Sequence, residues 1–246
     1  MYDPNWSLIK QSALDNFLLQ LSIWRTSQPY LSIAGAQFSA GNFTQNLFQQ
    51  YAVAQSANLE QAVTKRKAEY LAGRYCAKLA LQQHFGKNQA ICDIPSGKHR
   101  EPMWPAGVLG SITHTKTYAL CAIGESNCIQ GIGIDLEEIL EISSANELAE
   151  QIHNEQELQL LTTNNFPSNF ATTLLFSAKE SIFKALYNNI SEYFGFEVAR
   201  LCSVVPATRS LTFNLDSVFC NKYGISDEVH CKYYHFDNGI LTLCVI

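Results

Sequence analysis

Residues 64–84 read Thr-Lys-Arg-Lys-Ala-Glu-Tyr-Leu-Ala-Gly-Arg-Tyr-Cys-Ala-Lys-Leu-Ala-Leu-Gln-Gln-His. Ala68, Leu71, Ala72, Tyr75 and Leu79 return at three- and four-residue intervals, the period of a helix with one apolar face. Gly86 supplies a stop. Downstream, residues 95–102 and Trp104-Pro105-Ala106-Gly107 read as a turn-rich loop, and short strands are predicted at 110–113, 118–123 and 131–136. The second half repeats this order. A helical stretch at about 146–161 precedes a stronger one at 170–189, which Ser168 or Asn169 is placed to cap. Strands then dominate, at 201–205, 211–215, 229–236 and 240–246, and Asp237-Asn238-Gly239 is a hairpin signal between the last two. Helix followed by antiparallel strands, twice over, predicts an α+β protein of two similar lobes. The polar Glu125-Ser126-Asn127 separates them, giving residues 1–126 and 127–246. The first sixty residues hold mixed turn and apolar segments and no readable chemistry.

Composition sets the outer bounds. Of 246 residues 47% are hydrophobic, 11% aromatic and 16% charged, enough apolar material for one large unit or two small ones and too much for a disordered chain. With 17 basic and 22 acidic residues the net charge is −5, so no basic excess points to nucleic acid. The start, Met1-Tyr2-Asp3-Pro4-Asn5-Trp6, lacks the basic and then apolar pattern of a secretory signal. No apolar run approaches the ~18 residues of a membrane span. These readings predict a soluble, cytoplasmic protein. The eight cysteines (Cys76, Cys92, Cys121, Cys128, Cys202, Cys220, Cys231 and Cys244) form no CxxC and no zinc-like pattern, so they read as buried, reduced, small hydrophobes.

Four constellations could carry chemistry. In Ile132-Gly133-Ile134-Asp135-Leu136-Glu137, Asp135 and Glu137 share one face of a strand. They are either paired ligands for a hard cation such as magnesium or a solvated strand end that Glu138 extends. In Phe176-Ser177-Ala178-Lys179-Glu180-Ser181-Ile182-Phe183-Lys184, Phe176, Glu180 and Lys184 fall four apart on one helix face. Glu180 and Lys184 are either a surface pair or, with Phe176 turning that face inward, holders of an anionic ligand and its metal. In Gly110-Ser111-Ile112-Thr113-His114, His114 with Thr113 and Ser111 is either structural or a donor set for a phosphate. Two basic groups, Lys65, Arg66 and Lys67 ahead of Arg74, and Lys98-His99-Arg100, are either solvated or a grip on phosphates.

Taken in order, Gly73-Arg74, Trp104 to Gly107, Gly110 to His114, Gly131 to Glu137 and Phe176 to Lys184 resemble the 4′-phosphopantetheinyl transferases of the Sfp type. The enterobactin-synthetase component D subgroup is the nearest, and the likeness spans roughly residues 64–187. The resemblance implies two similar α+β lobes, related by a pseudo-twofold, with coenzyme A between them. It implies magnesium, with manganese as a substitute, on Asp135, Glu137 and Glu180 at the pyrophosphate. A carrier-protein serine then attacks the phosphorus attached to pantetheine and 3′,5′-ADP leaves. Glu180 is the implied base and Lys184 the group that stabilises pyrophosphate charge. His114 and Thr113 would hold a coenzyme A phosphate, with Lys98, Arg100, Arg66 and Arg74 near the 3′-phosphate. Phe176 stands where many relatives have tryptophan and Thr113 where many have serine, changes that keep the aromatic and the hydroxyl.

The partner implied is an apo peptidyl or acyl carrier protein of siderophore, polyketide or fatty-acid synthesis, and two lobes in one chain make a monomer sufficient. Two other readings use the same residues: a metal-dependent phosphatase, and a non-catalytic module that binds coenzyme A or a carrier. The short holo-acyl-carrier-protein synthases, about half this length and trimeric, are set aside.

Overall fold

The computed structural model describes residues 6–56, 59–86 and 93–246. The chain divides into two compact units, Tyr2–Ile129 and Gln130–Ile246. The first contains strands β1 (Trp6–Ser12), β2 (Leu18–Thr26) and β3 (Leu31–Phe38), a short helix α1 (Leu47–Gln50) and the long α2 (Thr64–Phe85). It closes with β4 (Val108–His114) and β5 (Tyr118–Glu125). The strands form one antiparallel five-stranded sheet in the order β1-β2-β3-β5-β4. Along α2, Ala68, Leu71, Ala72, Cys76, Ala77 and Ala80 are fully buried, and these mostly small side chains let the helix settle close to β3 and β5.

Three of those five strands come from the first sixty residues, where the sequence had offered only mixed segments. The reason is burial: β3 is covered on both faces for most of its length, so its sequence lacks the polar alternation that marks a half-exposed strand.

The second unit runs β6 (Ile132–Glu138), α3 (Ile142–Ile152), α4 (Glu155–Thr162), α5 (Ser168–Ile190), β7 (Ala199–Val205) and β8 (Ser210–Leu215). A short α6 (Ser217–Tyr223), β9 (Glu228–Phe236) and β10 (Gly239–Val245) complete it. Its sheet is again antiparallel, in the order β6-β10-β9-β8-β7. The turn Asp237-Asn238 joins β9 to β10, with Asp237 at a positive φ of 51°. Each unit therefore sets a long helix on a five-stranded antiparallel sheet, the α+β class expected.

Two local expectations need correcting. The single helix at 146–161 is two helices, because His153 closes the first and Asn154 starts the next. Its side chain accepts from Glu157 N at 3.0 Å while Glu157 Oε2 accepts from Asn154 N at 3.0 Å, a reciprocal cap. Neither Ser168 nor Asn169 caps α5: Pro167 takes that place and Asn169 Nδ2 donates instead to Leu140 O. The seven described cysteines are free; Cys76, Cys121, Cys220, Cys231 and Cys244 are buried, whereas Cys128 and Cys202 are exposed. Cys92 lies outside the described residues. Among those residues no helix is long and apolar enough to cross a membrane.

Candidate active site

Strand alternation places Asp135 and Glu137 on one face of β6, as expected from their spacing. Asp135 is 3% exposed and Glu137 half-buried. The neighbouring α5 brings its cation to them: Lys184 Nζ lies 2.6 Å from Asp135 Oδ1 and 3.3 Å from Ile134 O. Burial pushes the Glu137 carboxyl up to about 8, with Asp135, Glu180 and Glu138 adding to the rise and Lys184 opposing it. Burial also raises the Glu180 carboxyl above the usual glutamate range; Lys184 pulls it down and Asp135 pushes it up. Strand and helix together thus hold three carboxylates that feel one another, with one lysine among them.

The helix reaches this strand because two glycines stand in its path. A Cβ on Gly131 would lie 2.2 Å from Ala185 O, and one on Gly133 only 1.8 Å from Ser181 O. Without side chains there, the backbone of α5 lies directly on β6.

The face carrying Phe176, Glu180 and Lys184 is not the inward one. Leu174, Leu175, Ala178, Ile182 and Ala185 form the core face, and the Phe176 face is its half-buried margin. Phe176, half-buried, packs against the edge of that core and edge-on against Phe196 at 5.7 Å. Glu180 therefore borders open space, and with Phe183, Tyr193, Phe194 and Phe196 it lines a largely apolar pocket of about 300 Å³.

Lys179 lines the same pocket, and motif reading gave it no role. Its ammonium is buried 2.8 Å from Glu157 Oε1 and donates to Ile152 O at 2.8 Å, tying α5 to α3 and α4. Nothing in the order of residues marked Glu157, 22 positions earlier, as its partner.

Among the described residues no three His, Cys, Asp or Glu side chains are drawn up as a metal cage. Chemically the set nonetheless suits a hard divalent cation. All its donors are carboxylate oxygens, and burial first, with the neighbouring acids adding to it, makes Glu137 and Glu180 hold their protons more tightly, a cost that a bound cation offsets.

The first unit holds a separate cavity of about 390 Å³ at the start of α2 and the end of β4. Arg66, Arg74, Arg100 and His114, all singled out in the sequence, line it. Arg66 Nη1 lies 2.8 Å from His114 Nε2; a guanidinium only donates, so that ring nitrogen accepts. Arg74 is 8% exposed, donates to Ser96 Oγ at 3.1 Å and covers the Tyr70 ring at 4.8 Å. Its buried Nε has no hydrogen-bond partner among the described residues. A cavity walled by three arginines, one with an unsatisfied buried N–H, suits a phosphate.

Two expected members stand apart. On β4, Ile112 and His114 line the cavity while Ser111 and Thr113 are buried on the opposite face, as strand alternation requires. Lys98 is exposed and does not line the cavity, although Arg100, at a positive φ of 70°, does. Glu69 was missed: it is buried one turn after Arg66, lines the same cavity, and has its Oε2 3.5 Å from Arg66 Nη1 and 3.9 Å from His114 Nδ1. Its i+3 spacing from Arg66 was the available signal.

Comparison with known proteins identifies the family. Residues 54–124 match the 4′-phosphopantetheinyl transferase N-terminal domain, and residues 131–242 the 4′-phosphopantetheinyl transferase superfamily. The chain belongs to this superfamily. It is accordingly an enzyme, a transferase that carries phosphopantetheine from coenzyme A to carrier proteins. Over 186 residues, 75% of this chain and 74% of the relative, it is 37% identical to enterobactin synthase component D of Salmonella typhimurium. The protein of that name from Salmonella austin is 35% identical over 221 residues, 89% of both chains. The 4′-phosphopantetheinyl transferase PptT of Mycobacterium tuberculosis is 30% identical over 152 residues, 61% of this chain and 64% of that one.

Proposed function

We propose that this transferase moves the 4′-phosphopantetheine arm of coenzyme A to a serine of an apo carrier domain in siderophore or other non-ribosomal peptide synthesis. Asp135, Glu137 and Glu180 hold magnesium, and manganese substitutes for it. The observation that carries this reading is the buried Asp135 with Lys184 at 2.6 Å and two further carboxylates of raised proton affinity beside it. The bound cation supplies charge neutralisation at the pyrophosphate oxygens. Lys184 adds a second positive charge at the same oxygens. Glu180, bordering the open pocket beside the cation it helps to hold, accepts the serine proton. The serine oxygen bonds to the phosphorus attached to pantetheine, the bond from that phosphorus to the bridging oxygen breaks, and 3′,5′-ADP departs.

Arg66, Arg74, Arg100 and His114 take a phosphate at the adenosine end of coenzyme A. Thr113 and Lys98 are left out, since neither lines the cavity. The protein works as a monomer in the cytoplasm, where reduced cysteines persist and coenzyme A is available.

The deciding experiment is intact-mass analysis of apo peptidyl and acyl carrier proteins after incubation with this protein, coenzyme A and magnesium. One phosphopantetheine is gained per carrier, and a chelator abolishes the gain. Coenzyme A binding without transfer favours the binding module; release of inorganic phosphate from small esters favours the phosphatase.

The two basic groups separate in a binding measurement. Arg74→Met keeps the stacked volume but removes a buried charged donor, and coenzyme A affinity measured by calorimetry falls by ~10–100-fold. Lys98→Ala leaves it within about two-fold, as for an exposed charge. Equal losses in the two variants would place the phosphate outside the cavity.

A further inference from the structure

Three hydroxyls lie buried where α5 meets β10, and the mechanism uses none of them. Thr242 Oγ1 donates to Ser177 O at 2.8 Å; Ser177 Oγ stands 2.9 Å and Ser181 Oγ 2.7 Å from the same atom. A threonine hydroxyl has one proton and two lone pairs, so with its proton on Ser177 O it meets the two serine hydroxyls as an acceptor, the single Ser181 proton being shared between Thr242 Oγ1 and Thr242 O. Ser181 Oγ also reaches Thr242 O at 3.2 Å. All three residues are fully buried, in an interface that alanine and valine would fill equally well by volume. Hydroxyls add direction to such a contact rather than much net stability.

Their placement shows what the direction serves. Thr242 pairs across the sheet with Asp135, and Ser181 follows Glu180 by one residue and precedes Lys184 by three. Ser177 and Ser181, one helical turn apart, straddle the threonine. An axial slide of α5 by one residue, about 1.5 Å, breaks at least one of these bonds, whereas an apolar contact would tolerate it.

We propose that Thr242 is a positioning residue of the transferase: its hydroxyl fixes the height and rotation of α5 on the sheet, so that Glu180 and Lys184 meet Asp135 and Glu137. The inference rests on the reading of Asp135, Glu137 and Glu180 as metal ligands.

The test pairs Thr242→Val, which keeps the shape and loses the hydroxyl, with Thr242→Ser, which keeps the hydroxyl. Manganese binding is followed by electron paramagnetic resonance, alongside the magnesium dependence of transfer and the thermal midpoint. For Thr242→Val, manganese affinity falls and half-saturating magnesium rises by ~10–100-fold, the range for lost support behind a metal ligand. Thr242→Ser stays near the parent, and coenzyme A affinity without metal is unchanged in both. A lowered midpoint with parental metal binding overturns the proposal, as does an equal defect in the serine variant. Should Thr242→Val not fold, Ser177→Ala/Ser181→Ala removes the two donors instead. That variant shifts metal binding in the same direction, and parental binding there overturns the proposal. Asp135→Asn tests the ligand reading separately: manganese binding is lost in that variant, and parental binding there, or no binding by the parent, overturns the ligand reading and the role of Thr242 with it.

Discussion

Glu180→Gln lowers phosphopantetheinyl transfer by ~10²–10⁴-fold, the usual contribution of a positioned general base, with loss of a metal ligand adding to it. The substitution keeps the side-chain shape at a half-buried site and removes a charge that burial disfavours and on which Lys184 and Asp135 act in opposite directions, so the fold is retained. Two readouts check this together. Single-turnover carrier modification, followed by intact mass, gives the chemical step, and thermal unfolding gives stability. Transfer near the parental rate with magnesium present would remove Glu180 from both roles. Coenzyme A binding to the metal-free variant stays at the parental level, because the arginine cavity lies in the other unit.

The second large effect is structural in origin and catalytic in consequence. In Gly133→Ala the added Cβ would stand 1.8 Å from Ser181 O, where real Cβ contacts begin near 3.0 Å. The neighbour is helix backbone, which cannot swing aside like a side chain tip, so α5 as a whole must lift from β6. Overpacking of this kind costs about 1–3 kcal/mol. A misplacement of about 1 Å at reacting groups costs ~10²-fold in rate, and Glu180 and Lys184 ride on the displaced helix. Gly41→Ala is the comparison: its Cβ would meet nothing nearer than Ser39 Oγ at 3.9 Å. Both stability and single-turnover rate drop in Gly133→Ala and hold in Gly41→Ala. A Gly133→Ala enzyme with parental stability and rate would mean that the close approach of α5 does not set the site.

How far the sequence is legible depends on the length over which each signal acts. Helices α2 and α5 were readable because their apolar positions recur every turn, and the β9–β10 hairpin because Asp237-Asn238-Gly239 marks its own turn. The Asp135–Glu137 pair was readable because alternation along a strand is local. Strand β3 was not, since burial on both faces removes the alternation by which a strand is recognised, and β1, exposed along most of its described length, carries no buried face to give a pattern. The break between α3 and α4 was missed although Asn154 and Glu157 spell a cap, because the apolar pattern continues through it.

By itself, then, the sequence determined the α+β class, the two long helices, all five strands of the second sheet and the last two of the first, and the residue types from which a phosphate and cation site is made. These follow from periodicity and chemistry within a few residues. Only the tertiary structure decided which groups stand together. It put Lys184 on Asp135, buried Lys179 against Glu157, and set Phe176 at the margin of the core. Each of these depends on how closely one element packs on another: Gly133 admits the backbone of Ser181, 48 positions later, and no local pattern reports that distance.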